Sequence, residues 1–321
     1  MKTRFMMAVA AATLMLFAAA PAVSQAPTTP TPTLTDPGAD GRRVQEAGVF
    51  GNYFPPRDAG RRAAILLIGG SEGGLGTGAA RQARALQAQG FAVLQVAYFG
   101  YPGGPQALAS VPLETFDRAL AWLRARPEVD PARIGVVGAS KGAEAALLVA
   151  TRHVAVKVVM AGMPSSVVWP GISYSGETLP SWTAAGKDVA SLPYVFGGDY
   201  QNIFGAYDNG LKALGEHADA VIPVERIGAP IMLVCGRADA LWPSCPMAEQ
   251  IVARLQAHHF AHPVQMLAYA DAGHAVFGPP VDPANPAFPT LGSVGGSPAG
   301  NNAARQDDWP RAVAFLHKAL D

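Results

Sequence analysis

Three residue types that together can carry out nucleophilic catalysis stand in this chain, and the serine among them has the most specific setting. Ser140 is the centre of the G-A-S-K-G segment 138–142, which lies between a β-branched run and an alanine-rich segment. Because the two glycines carry no side chain, a serine between a strand and a helix can be exposed there on a tight turn. The first N–H groups of such a helix favour negative charge near the serine. The pattern therefore predicts a nucleophile elbow.

A serine hydroxyl needs a base, usually a histidine that a carboxylate orients. Asp239 lies in a loop after the apolar run 231–234, and His274 follows the run 266–269. The chain order serine, acid, histidine is that of α/β-hydrolases, and such residues meet at the carboxyl edge of a parallel sheet. Asp271 is the rival for the acid, but Asp239 occupies the expected loop. Together they predict a catalytic triad.

Each member of the triad also has an ordinary structural explanation. Ser140 suits a helix N-cap, Asp239 a turn before a helix, and His274 a loop. The conjunction of chain order, strand-end position and glycine context favours catalysis over these separate explanations.

Acyl transfer also requires N–H donors for the developing oxyanion. We expect one donor to be the backbone N–H of Lys141, and the other that of Ser71 or Glu72 in the loop 69–76, which contains five glycines. That loop lacks the lysine signature of a phosphate cradle. Lys141 and Glu144 lie on one helical face and predict a local ion pair, with substrate contact as the alternative.

The elements that must position these residues follow an alternating pattern. Continuous apolar runs predict strands at 63–68, 91–96, 133–137, 154–160, 230–234 and 264–269, after an extended segment at 44–53. Helical spacing recurs at 79–89, 113–126, 141–152, 245–258 and 309–320. The alternation predicts an α/β fold with a doubly wound, mostly parallel sheet. Two irregular stretches interrupt it, a lid insertion at 164–223 and a long loop on the active-site side at 277–305.

The lid insertion and the acid loop contain aromatic residues. Trp169, Trp182 and Trp242 are predicted to line an apolar substrate pocket, and the same interpretation extends to Tyr194, Phe196 and Phe204. The alternative is that these rings pack the lid itself.

No cofactor or metal is expected, because no zinc-ligand spacing occurs. The histidines at 258, 259 and 262 lie at a predicted helix end, where they suit the helix dipole. Lys plus Arg and Asp plus Glu each number 24, which indicates neither a nucleic-acid partner nor an anionic membrane surface. Oligomeric state is left open. Cys235 and Cys245 either form a disulfide or pack separately.

The N-terminus has the anatomy of a secretory signal peptide over residues 1–26. Lys2 and Arg4 precede an uncharged run at 5–20 and small residues that end at Ala26, after which we expect cleavage, with Ala22 as the alternative. The run is short for a membrane anchor. A periplasmic or secreted protein without a stable membrane anchor after signal removal is therefore expected. Residues 27–41 read as a flexible Pro/Thr-rich leader, and 42–321 as the catalytic domain.

Several segments together resemble a known family. They are the glycine-rich loop 69–74, the segments 97–100 and 111–116, the elbow 138–144, and the segments 164–169, 236–243 and 271–277. In combination they resemble the C-terminal catalytic domain of the acyl-CoA thioester hydrolase and bile acid-CoA:amino acid N-acyltransferase family, relatives of dienelactone hydrolases. The resemblance extends from about Arg43 to Asp321.

The resemblance implies an α/β-hydrolase fold with a lid insertion and with Ser140, Asp239 and His274 as its triad. Animal members place a β-sandwich before this domain, for which no room is expected between residues 26 and 43. Acyltransferase members use cysteine as nucleophile, so Ser140 favours hydrolysis. We expect an exported hydrolase that cleaves a small acyl ester or thioester through an acyl-enzyme. The alternatives are an acyltransferase with an amine or alcohol acceptor and a non-catalytic binding protein.

Overall fold

The computed structural model describes residues 32–173, 177–197 and 202–321. The predicted signal peptide, residues 1–26, lies outside the described residues, and so does the first part of the predicted leader.

One eight-stranded sheet forms the centre of the fold. The strands of the chain are β1 (Arg42–Glu46), β2 (Val49–Phe54), β3 (Arg62–Ile68), β4 (Ala92–Ala97), β5 (Val111–Pro112), β6 (Val129–Ala139), β7 (Val156–Gly162), β8 (Trp182–Ala184), β9 (Lys187–Asp188), β10 (Ile231–Gly236) and β11 (Val264–Tyr269). The sheet order is β1-β2-β4-β3-β6-β7-β10-β11. The β1–β2 and β2–β4 pairs are antiparallel and the other pairs are parallel. The fold is that of an α/β-hydrolase, as predicted.

Helices cover both faces of this sheet. The helices of the described residues are α1 (Thr77–Gln87), α2 (Glu114–Arg124), α3 (Lys141–Arg152), α4 (Ile203–Lys212) in the lid insertion, α5 (Ser244–Ala257) and α6 (Pro298–Leu320), with short 3-10 helices at Leu214–Glu216, Ala218–Ala220, Val224–Arg226 and Pro289–Gly292. In β3, Ile65 and Leu67 join the apolar cluster of α1 and α6, whereas Leu66 and Ile68 join that of α2, α3 and α5. Both faces are therefore buried, which explains the continuous apolar runs.

The last helix corrects a sequence prediction. It was expected to begin at Trp309 after an irregular loop at 277–305, but it begins at Pro298. Ser297 caps it by accepting a hydrogen bond from the N–H of Gly300, and proline suits the first helical position. Pro310 lies inside the helix and obscured its first half in the sequence. In the part of the chain that the structure describes, no helix has the length and apolarity to cross a bilayer.

The leader prediction also needs correction for residues 32–41. Their backbone is held by hydrogen bonds from the body of the domain: Thr35 pairs with Leu75, and its carbonyl accepts from the side chains of Arg43 and Asn52. Arg84 donates to the carbonyls at 36 and 37. Composition does not reveal this, because the donors belong to distant elements.

The lid insertion, predicted over 164–223, contains α4 and the strands β8 and β9, which form a small sheet with β5 from an earlier part of the chain. Lid residues that include Val167, Trp169, Leu192 and Tyr207 form a separate apolar cluster with Trp242 of the Asp239 loop.

Candidate active site

Ser140 lies at the junction of β6 and α3 in a backbone conformation that is unusual for a side-chain-bearing residue. Its φ is 56° and its ψ is −125°. A Cβ on Gly138 would collide with the carbonyl oxygen of Gly142, and a Cβ on Gly142 with the carbonyl oxygens of Ile68 and Gly69. Both positions of the elbow therefore require glycine, and the tight turn presents the serine at the carboxyl edge of the sheet.

The structure brings the three predicted triad residues together. Nε2 of His274 lies 2.9 Å from Oγ of Ser140, and Nδ1 of His274 lies 2.8 Å from Oδ2 of Asp239. All three side chains belong to buried residues, which are 9% or less exposed. This chain of hydrogen bonds suits a serine whose proton passes to histidine while the carboxylate holds the imidazole tautomer.

The acid loop surrounds the carboxylate of Asp239 with donors. Oδ1 accepts from the N–H groups of Leu241 (2.9 Å) and Trp242 (3.2 Å), and Oδ2 accepts from Oγ of Ser244 (2.7 Å) in addition to His274. Sequence reasoning missed Ser244, whose only signal was its place at the start of a helix close to Asp239.

A disulfide joins the two ends of the acid loop. Cys235, at the end of β10, is bonded to Cys245 in the first turn of α5, with the two Cα atoms 5.1 Å apart. The alternative of separately packed thiols is therefore wrong.

A second loop connects the acid to the base. The carbonyl of Val294 accepts from the N–H groups of both Ala240 (3.2 Å) and His274 (3.1 Å). Buried Asn301 accepts from the N–H of Gly273 and donates to carbonyls of the 291–297 segment, Gly295 among them. Asn301 had no signal in the sequence, because it lies in a stretch predicted to be irregular.

Two backbone N–H groups were predicted to form the oxyanion hole beside Ser140. That of Lys141 is the first of α3 and has no partner within the helix. Of the two residues predicted for the second donor, Glu72 has its backbone N–H bonded to its own carboxylate, which also accepts from the N–H of Gly70. The N–H of Glu72 is therefore engaged, which leaves Ser71 as the candidate for the second donor. Both Ser71 and Lys141 line a cavity beside Ser140.

The side chain of Glu72 is an acid that sequence reasoning did not single out. It folds back over Gly69 and Gly70, where a Cβ on Gly70 would lie 2.8 Å from Oε2 of Glu72 and 3.3 Å from Cβ of Ser140. The residue is exposed at a cavity, but many protein atoms surround its carboxyl group; this partial burial raises the pKa of Glu72, and the two loop N–H groups and His274 oppose the shift. The carboxylate thus lies beside the nucleophile.

Lys141 and Glu144 form the predicted ion pair, but it is buried rather than local to a solvated helix face. Nζ of Lys141 donates to Oε1 of Glu144 (2.7 Å), to Oγ of Ser181 (2.8 Å) and to the carbonyl of Trp169 (3.2 Å). Burial lowers the pKa of Lys141 and raises that of Glu144, and their mutual attraction opposes both shifts. The pair therefore joins the elbow helix to the lid insertion.

Two cavities meet at Ser140. The first, of about 510 Å³, we call the His-side cavity; its lining includes Ser140, His274, Glu72, Arg81 and Arg305. The second, of about 500 Å³, we call the lid-side cavity; it is lined by Ser140, Lys141 and lid residues that include Tyr194, Phe196, Ile203 and Tyr207, together with Trp242 of the Asp239 loop. His274 lines only the first of these two cavities.

The tryptophans predicted to line the substrate pocket separate in the structure. Trp242 lines the lid-side cavity, and its ring lies 5.7 Å from that of His274. Trp169 and Trp182 are fully buried and line neither cavity. Trp182 donates from Nε1 to Glu144 and packs beside Tyr98. For these two residues the pocket role is replaced by packing of the lid onto the elbow helix.

Fold and site together define an α/β-hydrolase with a serine elbow. The sequence profile described as "BAAT / Acyl-CoA thioester hydrolase C terminal" matches residues 111–321. The chain belongs to this family, as its motifs predicted.

Acyl-coenzyme A thioesterases are among the proteins to which the chain is similar in sequence. Acyl-coenzyme A thioesterase 1 of Homo sapiens is 31% identical over 291 residues, which are 88% of this chain and 66% of that protein. The mitochondrial acyl-coenzyme A thioesterase 2 of Homo sapiens is also 31% identical, over 88% of this chain and 58% of its own length. The chain thus spans about two thirds or less of these relatives.

Solved structures of low sequence identity share the fold. A dienelactone hydrolase-like promiscuous phosphotriesterase from metagenomic libraries superposes with a TM-score of 0.55 at 15% identity, over 88% of this chain and 98% of its own. A putative dienelactone hydrolase from Klebsiella pneumoniae gives 0.53 at 14% identity, over 84% and 92% of the two chains.

Proposed function

We propose that this protein is a serine hydrolase that cleaves an acyl ester or thioester through an acyl-enzyme on Ser140. The observation that carries the proposal is the hydrogen-bonded chain from Ser140 through His274 to Asp239, placed where two cavities meet. Membership of a family whose named relatives include thioesterases supports the reaction class.

Each group has a role in the proposed reaction. Oγ of Ser140 attacks the acyl carbonyl while Nε2 of His274 takes its proton, and the N–H groups of Lys141 and Ser71 stabilise the oxyanion. The carbon–heteroatom bond then breaks as His274 protonates the leaving group. Water, deprotonated by the same histidine, attacks the acyl-enzyme and releases the acid and free Ser140. Asp239 keeps the imidazole oriented throughout.

The test is Ser140→Ala in the purified mature protein, assayed with p-nitrophenyl esters and acyl thioesters. We expect a loss of kcat/KM of about 10⁴-fold or more, because the triad acts as a unit. Labelling by a fluorophosphonate probe should disappear in the same variant.

The matched control is Ser110→Ala. Ser110 is an exposed serine that also has a positive φ, 51°, but no hydrogen bond joins its hydroxyl to a histidine among the described residues. This variant should keep full activity and labelling. Turnover by the Ser140→Ala protein at the wild-type rate would refute the mechanism.

We further propose that the protein is exported, on the strength of the signal-peptide anatomy of residues 1–26. The disulfide between Cys235 and Cys245 supports an oxidising compartment. N-terminal sequencing of the protein recovered from the periplasm or medium should begin at Pro27. Recovery of the uncleaved chain from the cytosol alone would argue against export.

A further inference from the structure

The His-side cavity is lined by two guanidinium groups, neither of which is paired with a carboxylate among the described residues. Arg81 of α1 donates from Nη1 to the carbonyl of Pro280 at 3.0 Å. Arg305 of α6 donates from Nε to the carbonyl of Ala275 at 2.6 Å and from Nη1 to that of Pro279 at 3.3 Å. Neither arginine forms an ion pair within residues 32–173, 177–197 and 202–321. Carbonyl contacts use only part of the donor capacity of each guanidinium.

The acidic residues Asp308 and Glu72 do not neutralise the charges of the two guanidinium groups. Burial raises the pKa of Asp308 to about 8, so this neighbour of Arg305 is protonated at neutral pH. The carboxylate of Glu72 interacts with the N–H groups of its own loop and with His274 rather than with either guanidinium. Burial lowers the pKa of Arg305 to about 10, which still leaves it charged at neutral pH. The wall of the cavity is therefore positive and suits an anion.

The position of His274 decides which half of the substrate meets this wall. In acyl transfer the histidine that takes the serine proton returns it to the leaving group, so the leaving group must lie on the histidine side. His274 lines the His-side cavity. The acyl group is then directed into the lid-side cavity, where aromatic and aliphatic side chains are frequent and Glu177, the one carboxylate among the described lining residues, is exposed.

We propose that the His-side cavity selects a leaving group that carries a carboxylate or phosphate only a few bonds from the scissile carbonyl, bound by Arg81 and Arg305. This inference rests on the proposed function. It names a substrate class distinct from coenzyme A thioesters, because an uncharged pantetheine arm separates the sulfur of coenzyme A from its phosphates. In that compound the charges would lie beyond the wall next to Ser140.

The experiment compares four thioesters of one acyl group, hexanoate. The short anionic leaving group is 3-mercaptopropionate, and its neutral counterpart is methyl 3-mercaptopropionate. The second pair of leaving groups is coenzyme A, whose phosphates are far from the sulfur, and N-acetylcysteamine, which has no anionic group. For each thioester, kcat/KM is measured with the wild type and with Arg81→Gln. The ratio of these two values does not depend on the intrinsic reactivity of the thioester.

We expect Arg81→Gln to lower kcat/KM for the mercaptopropionate thioester by about 10- to 100-fold, mainly through KM, and to change the other three little. Arg84→Gln is the matched control. Arg84 lies three residues along the same helix and donates to the carbonyls of Asp36 and Pro37 instead of lining the cavity. It should leave all four values unchanged.

Arg305 also holds the backbone beside His274, so its charge is tested by Arg305→Lys, which keeps the charge and loses the forked contacts. We expect a lower kcat with the preference for the anionic leaving group retained. An equal loss on all four substrates in Arg81→Gln would overturn the proposal and leave Arg81 a structural role. The proposal would also be overturned if the wild type preferred the coenzyme A thioester to the N-acetylcysteamine thioester and Arg81→Gln abolished that preference. The arginines would then bind the nucleotide phosphates of coenzyme A.

The two proposals fail in different ways. If Ser140→Ala abolishes hydrolysis while the wild type treats charged and neutral leaving groups alike, the hydrolase mechanism stands and the anion site falls. If Ser140→Ala retains activity, the proposed function itself falls.

Discussion

Two buried aspartates, Asp239 and Asp308, show how the donors around a carboxylate decide what it can do. Asp239 is 7% exposed and its two oxygens have four hydrogen-bond partners, one of which is His274. Asp308 is fully buried, and neither of its oxygens has a partner among the described residues. Its nearest cation, Arg305, directs its hydrogen bonds to backbone carbonyls.

The difference follows from where each residue lies. Asp239 is in a loop at the carboxyl end of β10, where free N–H groups and Ser244 converge on it. Asp308 is inside α6, where backbone N–H groups bond to carbonyls of the preceding turn. A loop can therefore stabilise a charged carboxylate beside histidine, whereas the helix interior leaves the carboxyl to take up a proton.

The largest expected effect comes from removing the charge of Asp239. In Asp239→Asn an amide nitrogen replaces the acceptor of His274 Nδ1–H, so the imidazole places its proton on Nε2 and cannot accept that of Ser140. We expect kcat to fall by about 10⁴-fold with little change in the unfolding midpoint. The control is Asp271→Asn, which alters the exposed rival acid three residues before His274 and should retain activity. If Asp271→Asn lost activity and Asp239→Asn kept it, Asp271 would be the acid that orients His274.

The placement of these acids also marks what the sequence can and cannot predict. The position of Ser140, Asp239 and His274 at one edge of the sheet follows from apolar runs and chain order, because parallel strands bring their carboxyl ends to one edge. The partners that fix the site, Ser244 and Asn301, come from segments whose conformation depends on long-range contacts. The same holds for Glu144, because the lid residues Trp169, Ser181 and Trp182 that bury it lie in a stretch with no regular pattern.

Glu144 is intermediate between the two aspartates, since it is fully buried but paired with a cation. In Glu144→Gln the ammonium of Lys141 loses its counter-charge while still enclosed by Ser181 and Trp169. Because an unpaired buried charge is costly, we expect the free energy of unfolding to fall by about 3–5 kcal/mol, measured by urea denaturation.

The control for that variant is Glu249→Gln. Glu249 forms an ion pair with Arg237 at 3.0 Å, but both side chains are about half exposed. Its loss should cost about 0.2–1 kcal/mol. If the double variant Lys141→Met/Glu144→Leu were no more stable than Glu144→Gln, the unpaired charge would not be the cause of the loss.

The last expected effect depends on pH and belongs to Asp308. Burial raises the pKa of this carboxyl to about 8, with Arg305 opposing the shift and Asp307 adding to it. Between the unfolded pKa of about 4 and the folded value, the folded state holds a proton that the unfolded state has lost. Rising pH therefore favours unfolding across this window, by at most about 1.4 kcal/mol per pH unit.

In Asp308→Asn this contribution disappears, so the free energy of unfolding should fall less between pH 5 and pH 8 than in the wild type. Asp58→Asn, whose exposed carboxylate pairs with Arg62 at 3.7 Å, should retain the wild-type pH dependence. Identical pH profiles for Asp308→Asn and the wild type would mean that Asp308 is ionised in the folded protein, and its contrast with Asp239 would then be lost.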